Sequence, residues 1–316
     1  MSTVNTMRAL TQDVLGGPEV LKLTEVPRPV PRPNEVLVRV RAAGVNPTDW
    51  KHRATGGFLG APPFTLGWDV SGVVEETGVG VALHQPGDEV FGMLPYPFGH
   101  GSHAEYVIAP ARALVPKPAG LDHTQAGALP LVSLTAWQAL VERADLRPGG
   151  RVLIHAAAGG VGHVAVQIAK ARGAYVIGTA SAGKHDFLRE IGVDEPVDYR
   201  TTDFEEAVGD VDVVLDTIGG DHSVRSLRVL RPGGIVVSIL PVGSDDFHAE
   251  AERLGVRAVR MLVDADQHGM RAVAGLVEEG KLRPSISGTF PLAEAAKAHE
   301  IGDLGRTTGK LVLLGD

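Results

Sequence analysis

The residues best placed for chemistry are Ala156-Ala157-Ala158-Gly159-Gly160-Val161-Gly162, which follow an apolar run, Arg151–Ala156, and open a helical one, Gly162–Arg172. Small residues let a backbone turn tightly and approach a pyrophosphate, whose charge faces the N-terminus of the following helix. Ala158, Gly159, Gly160 and Val161 are therefore candidate cofactor contacts. The loop is neither a strict GxGxxG nor a Walker loop, because Ala156 and Ala158 stand where glycine or serine is expected and no GK[ST] follows. The strand before it, the helix after it and a second strand beyond make a dinucleotide the expected ligand rather than a bare βα turn. That second strand ends in Thr179-Ala180-Ser181-Ala182-Gly183-Lys184. An Asp or Glu here would accept from an adenosine 2′-hydroxyl and repel a 2′-phosphate. No acid occurs before Asp186, while Ser181 and Lys184 offer a hydroxyl and a cation, with Thr179 beside them. NADPH is expected over NADH, the other reading of Lys184 being a solvated first-turn lysine.

Other chemistries lack their residues. The chain has 0 cysteines, which excludes disulfides, thiolate nucleophiles, iron–sulfur clusters and zinc sites that need sulfur. It has no G-x-S-x-G elbow and no H-E-x-x-H. His100 and His103 are closely spaced in HGSH, but two histidines in a Gly-rich loop do not make a metal site, and no metal is expected. What remains is hydride transfer, where a cofactor supplies the hard chemistry and the protein supplies geometry and polarisation. A quinone or an α,β-unsaturated carbonyl accepts hydride without a Lewis acid, whereas oxidation of a saturated alcohol wants zinc on the alkoxide.

The elements that position these residues fall into two kinds. At 316 residues the chain suggests about two domains, and 44% apolar with 22% charged residues is the balance of a folded globular protein. Lys+Arg 30 against Asp+Glu 38 gives a net charge of −8, which disfavours nucleic acid or an anionic membrane as the main partner. No apolar run reaches the roughly 18 residues of a membrane span. The start, MSTVNTMRAL, lacks a basic stretch followed by an apolar one, so a cytoplasmic location is expected. Early strands are expected at Glu35–Ala42, Val70–Glu76 and Val90–Met93, with Pro27–Pro33 a stiff connector; their close spacing suggests a barrel or open sandwich. Thr124–Val141 carries helical spacing. Strands at Tyr175–Ala180, Val211–Asp216 and Ile235–Leu240 then alternate with helices at Lys184–Ile191 and Val224–Leu230, with a turn at Arg231–Gly234. That alternation predicts a parallel, doubly wound sheet. Helices at Met270–Glu279 and Leu292–Ile301 and a strand at Lys310–Leu314 close the chain.

Several segments together resemble the zinc-independent medium-chain dehydrogenase/reductase family, in its quinone oxidoreductase and enone reductase branch. They are Ala43–Lys51 (AGVNPTDWK), Gly67–Gly72 (GWDVSG), Ala104–Tyr106 (AEY), Pro130–Leu140 (PLVSLTAWQAL), the loop AAAGGVG and Gly309–Leu311 (GKL). The resemblance implies an α/β chain: a GroES-like β-barrel catalytic domain built from residues 1–125 and 269–316, with a Rossmann NADPH-binding domain at 126–268. Tryptophan stands at Trp68 where zinc-dependent members carry a ligand histidine. Asn46 is expected beside nicotinamide and substrate oxygen, as an amide donor to the developing negative charge. Lys51 falls where some members have tyrosine, and is either a polarising cation or proton donor, or a solvent-facing charge. Phe64 and Tyr96, with Trp68, form an aromatic slot for a flat acceptor or belong to the core. Thr135 is expected near the nicotinamide and Tyr199 near the adenosine phosphate. Ile218 and Ile239-Leu240-Pro241 lie at strand ends where such sheets bind ligands. A homodimer is also implied. Two other readings stay open: a dedicated biosynthetic enoyl reductase, and a non-catalytic NADPH-binding or RNA-binding protein.

Overall fold

The computed structural model describes residues 5–241 and 246–315. The chain forms two compact units. The first comprises Met1–Leu131, Asp264–Glu278 and Pro284–Asp316; the second comprises Val132–Val263 and Glu279–Arg283.

In the first unit the strands are β1 (Thr6–Gln12), β2 (Lys22–Pro27), β3 (Glu35–Val45), β4 (Phe64–Thr65), β5 (Asp69–Thr77), β6 (Glu89–Met93), β7 (Tyr106–Pro110) and β8 (Leu114–Pro116). In the second they are β9 (Arg151–Ile154), β10 (Tyr175–Ala180), β11 (Glu195–Asp198), β12 (Val211–Asp216), β13 (Leu230–Ser238) and β14 (Arg257–Arg260). The first unit regains the chain with β15 (Ile286–Pro291) and β16 (Lys310–Leu314).

Seven strands of the first unit make one sheet, in the order β15-β16-β3-β5-β6-β8 with β7 also on β3, and β2-β1-β4 make a smaller one. β16 runs antiparallel to the end of β3, pairing Leu311 with Val45 and Val312 with Gly44. This register sets Lys310 beside Asn46 across more than 260 residues of sequence. β3 extends three residues past the expected end, where β16 pairs with it, and is buried on both faces there, with Gly127 of the helix His123–Gly127 packed against Ala42 and Gly44. The helix Pro47–Thr55 follows at once. Proline at its first position has no N–H to lose, and the Asp49 carboxylate accepts the Asn46 N–H at 2.7 Å, closing the free end.

The second unit is a parallel sheet in the order β11-β10-β9-β12-β13-β14. Its near-continuous Val, Ile and Leu runs are buried on both faces, with Leu153, Ile177, Val214 and Val236 in one core cluster that includes Phe247. Two expectations are corrected. The expected helix over Thr124–Val141 is three pieces, His123–Gly127, Pro130–Trp137 and a π-helical turn Gln138–Arg143, because Pro130 cannot continue the preceding helix. The turn expected at Arg231–Gly234 lies inside β13 as a bulge, with pairing that passes from Val211–Leu230 to Val213–Ile235 and an Arg231–Asp212 ion pair beside it.

Candidate active site

In the second unit β9 delivers the chain to Ala156, which takes a left-handed φ of 46°. Thr179 fastens this turn: its hydroxyl accepts the Ala156 N–H at 3.1 Å and its carbonyl accepts the Ala157 N–H at 2.9 Å. Thr179 is 3% exposed and supports the loop from beneath. The helix Gly160–Ala171 begins on Gly159, which places no side chain over the first turn. The amide groups at that end are therefore open to an anion. A Cβ on Gly162 would lie 2.3 Å from Ala156 O and 2.7 Å from Ala157 Cα, so this glycine lets the helix approach the loop. The loop fits a dinucleotide pyrophosphate.

β10 ends at Ala180, with Ser181 and Lys184 half-buried beyond it. Burial lowers the Lys184 ammonium from its ordinary value, with Tyr199 acting to raise it and Arg200 to lower it further. Arg200 lies over the Tyr199 ring at 5.9 Å and was not singled out above, although it completes the run VDYR. Asp186, the first acid, is fully exposed and pairs with Arg189 at 2.9 Å.

At the end of β12 the buried Asp216 carboxylate accepts the amides of Ile218 (2.9 Å) and Gly219 (3.0 Å) and the hydroxyls of Ser223 (2.5 Å) and Ser238 (2.8 Å). Burial alone would raise this carboxyl, but the four donors bring it below the usual range. The turn it organises leaves Ile218 43% exposed. Ile239 and Leu240 are half-buried and Pro241 exposed at the end of β13, where the Pro241 carbonyl accepts the Gly220 N–H at 3.1 Å. Thr135 is buried in the helix Pro130–Trp137. Asp216 was missed; an acid closing the apolar run VDVVLD was its only signal.

In the first unit Asn46, Asp49, Asp69 and Lys310 form a buried polar cluster. Asn46 Nδ2 donates to Asp69 Oδ2 at 2.8 Å and, at a long 3.4 Å, to Gly44 O; its Oδ1 accepts from Lys310 Nζ at 2.5 Å. Lys310 also donates to Val45 O at 2.8 Å and lies 3.6 Å from Asp69 Oδ2. Asp69 Oδ1 accepts the Leu131 N–H at 2.6 Å. Asn46 is 0% exposed and its amide is bonded inside the unit, where it braces the start of the helix. Burial lifts the Asp49 carboxyl to about 8, against the Asn46 amide and with the help of the Asp69 charge. Asp49 Oδ1 is buried without a partner, whereas Asp69 accepts from Asn46 and Leu131, so Asp49 is the carboxyl that takes up a proton the more readily.

Lys51 is exposed on the helix Pro47–Thr55. Trp68 is core, 0% exposed, with Nε1 donating to Pro97 O at 3.1 Å. Tyr96 packs edge-on against Trp68, with ring centres 5.2 Å apart. Phe64 lies in β4, paired with Gln12, and Phe58 also meets the Tyr96 ring, at 6.1 Å.

Residues 32–119 match the alcohol dehydrogenase GroES-like domain, and residues 191–313 match the zinc-binding dehydrogenase domain. A 2-haloacrylate reductase from Burkholderia sp is 37% identical, over 95% of this chain and 96% of that protein. The quinone oxidoreductase of Coxiella burnetii superposes with a TM-score of 0.93 at 38% identity, over 99% of this chain and 100% of that one. The chain belongs to the quinone oxidoreductase branch of the medium-chain dehydrogenase/reductase family. It is thus an oxidoreductase that works with a nicotinamide cofactor. Another family member, the Escherichia coli quinone oxidoreductase solved in complex with NADPH, superposes with a TM-score of 0.89 at 28% identity, over 97% of this chain and 99% of that one. The family's zinc finds no matching donors: the chain has 0 cysteines, Trp68 is core, and the described residues contain no group of three or more His, Asp or Glu able to hold an ion.

Proposed function

We propose that the protein is an NADPH-dependent reductase that passes hydride to a quinone or an α,β-unsaturated carbonyl without zinc. The observation that carries this reading is a half-buried Lys184 after β10, with Arg200 over the Tyr199 ring after β11 and no acid before Asp186, where an acid would select NADH. Ser181 adds a hydroxyl for the 2′-phosphate. Ala158, Gly159, Gly160 and Val161 hold the pyrophosphate, and Thr135, Ile218, Ile239, Leu240 and Pro241 serve the nicotinamide half. NADPH, when bound, supplies the hydride. The acceptor class follows from the donor set: without ligands for a Lewis acid, an acceptor activated by its own conjugation is required. The E. coli relative solved with NADPH and the relative named for reducing a haloacrylate support both halves. A cytoplasmic location and a homodimer belong to the same proposal, checked by cell fractionation and sedimentation velocity.

Lys184→Ala tests the cofactor assignment. It should raise the KM for NADPH on the order of tenfold, a loss of about 1.4 kcal/mol, and leave that for NADH within about twofold. Equal effects on both cofactors would remove the 2′-phosphate from this position.

A further inference from the structure

His52, on the helix Pro47–Thr55, is 4% exposed, and its two ring nitrogens face different groups. The Phe58 N–H donates to Nε2 at 3.2 Å, so Nε2 carries no proton. Nδ1 lies 2.8 Å from the Thr48 carbonyl oxygen, which only accepts, so Nδ1 carries it. Both contacts select one neutral tautomer, and burial keeps the imidazole neutral by lowering its pKa. The Thr48 hydroxyl oxygen is 3.1 Å from the same Nδ1 and 3.0 Å from Tyr96 Oη. Because Nδ1 already holds a proton, Thr48 Oγ1 accepts there and sends its own hydrogen to Tyr96 Oη. The opposite direction would leave the Thr48 hydrogen without an acceptor. Tyr96 therefore accepts from Thr48, and among the described residues its own hydroxyl hydrogen meets no other partner.

The surroundings hold this chain in place. Gly57 takes a left-handed φ of 47°, and a Cβ there would lie 2.7 Å from the His52 ring, so the loop closes over the imidazole only with glycine. The Tyr96 ring is set edge-on between Trp68 and Phe58, and Trp68 anchors the loop after Tyr96 through Pro97 O. Half-buried, Tyr96 is also kept a phenol, since burial raises its pKa against the Thr48 hydrogen bond.

We propose that Tyr96 is a catalytic residue whose free hydroxyl hydrogen donates to the carbonyl oxygen of the acceptor, with Thr48 and His52 as positioning residues. This rests on the reductase reading above. An enone takes hydride from NADPH at its β-carbon; the π pair shifts to form the enolate C=C, and the carbonyl pair moves to oxygen. Tyr96 stabilises that oxyanion by hydrogen bonding and keeps its proton. The enolate then takes a proton from solvent, so that enone, NADPH and H⁺ become ketone and NADP⁺. A quinone balances in the same way, ending as hydroquinone.

The test pairs kinetics with a probe of the hydrogen-bond direction. Tyr96→Phe should lower kcat for 1,4-naphthoquinone and cyclohex-2-enone on the order of 100-fold, with NADPH Kd by fluorescence titration unchanged within about twofold. Thr48→Val should show a smaller loss of the same kind, and His52→Gln, which can accept from Phe58 and donate to Thr48, should recover more activity than His52→Ala. The ¹⁵N shifts of His52 in the cofactor-free protein should report the Nδ1-protonated neutral ring. An Nε2-protonated ring, or an active wild type with Tyr96→Phe unchanged, overturns the role of Tyr96 alone. A wild type that reduces neither acceptor overturns the reductase reading and the role of Tyr96 together.

Discussion

Asp49 in the first unit and Asp216 in the second are both buried aspartates that fix a backbone turn, yet their carboxyls move in opposite directions. Asp49 rises to about 8, while Asp216 falls below the ordinary range. Burial acts alike on both, so the difference lies in donors. Asp216 receives two amides and two hydroxyls; Asp49 has the Asn46 amide on one oxygen, no partner on the other, and the charge of Asp69 nearby. A buried carboxylate keeps its charge when its lone pairs are filled and takes up a proton when they are not. In the second unit the charge shapes the turn at Ile218. In the first, burial raises Asp69 as well, opposed by Lys310 at 3.6 Å and by the Asn46 amide.

The largest effect should come from breaking that pair. Lys310→Met leaves Asp69 buried without its cation and should destabilise the protein by about 4 kcal/mol in urea unfolding. A loss below about 1 kcal/mol would show that Asp69 is already neutral. Asp216→Ala strands the Ile218 and Gly219 amides and two hydroxyls, and should cost about 3 kcal/mol while weakening NADPH binding. If stability falls but binding does not, the Ile218 turn has no part in holding the cofactor.

The smallest effect is the most discriminating. Asp49 binds its proton more tightly folded, at about 8, than at the ordinary 3.8, so its contribution is full below 3.8 and is lost as pH rises to 8. His103 and His155 run the other way: burial holds both near 4 instead of 6.5, and their contribution is lost as pH falls from 6.5 towards 4. Between pH 6.5 and 8 Asp49 should therefore dominate, and wild-type stability should fall by up to about 1.4 kcal/mol per pH unit relative to Asp49→Asn. Parallel pH curves for the two proteins would place the proton elsewhere.

Much of the second unit was legible because its strands are long, apolar and covered on both faces. Tyr175–Ala180 and Val211–Asp216 fall where the apolar runs place them. Strands of two or three residues, such as Phe64–Thr65 and Leu114–Pro116, carry no period and exist only because neighbours pair with them. The helix at Pro47 had a readable signal, Asn-Pro-x-Asp, absorbed above into a family motif. The sites were legible in part for the same reason. A glycine loop is contiguous, whereas Lys310 reaches Asn46, and Tyr96 reaches Thr48, only after the sheet and the loops have formed. Asn46 was singled out by position, but its partners come from tertiary packing.

The most direct test of the central claim is the oxidation of NADPH, followed by absorbance, against a small panel of quinones and enones, with NADH and a chelator as controls. Turnover that prefers NADPH and survives the chelator is the expected result. Turnover that prefers NADH, or that the chelator abolishes and zinc restores, would contradict it.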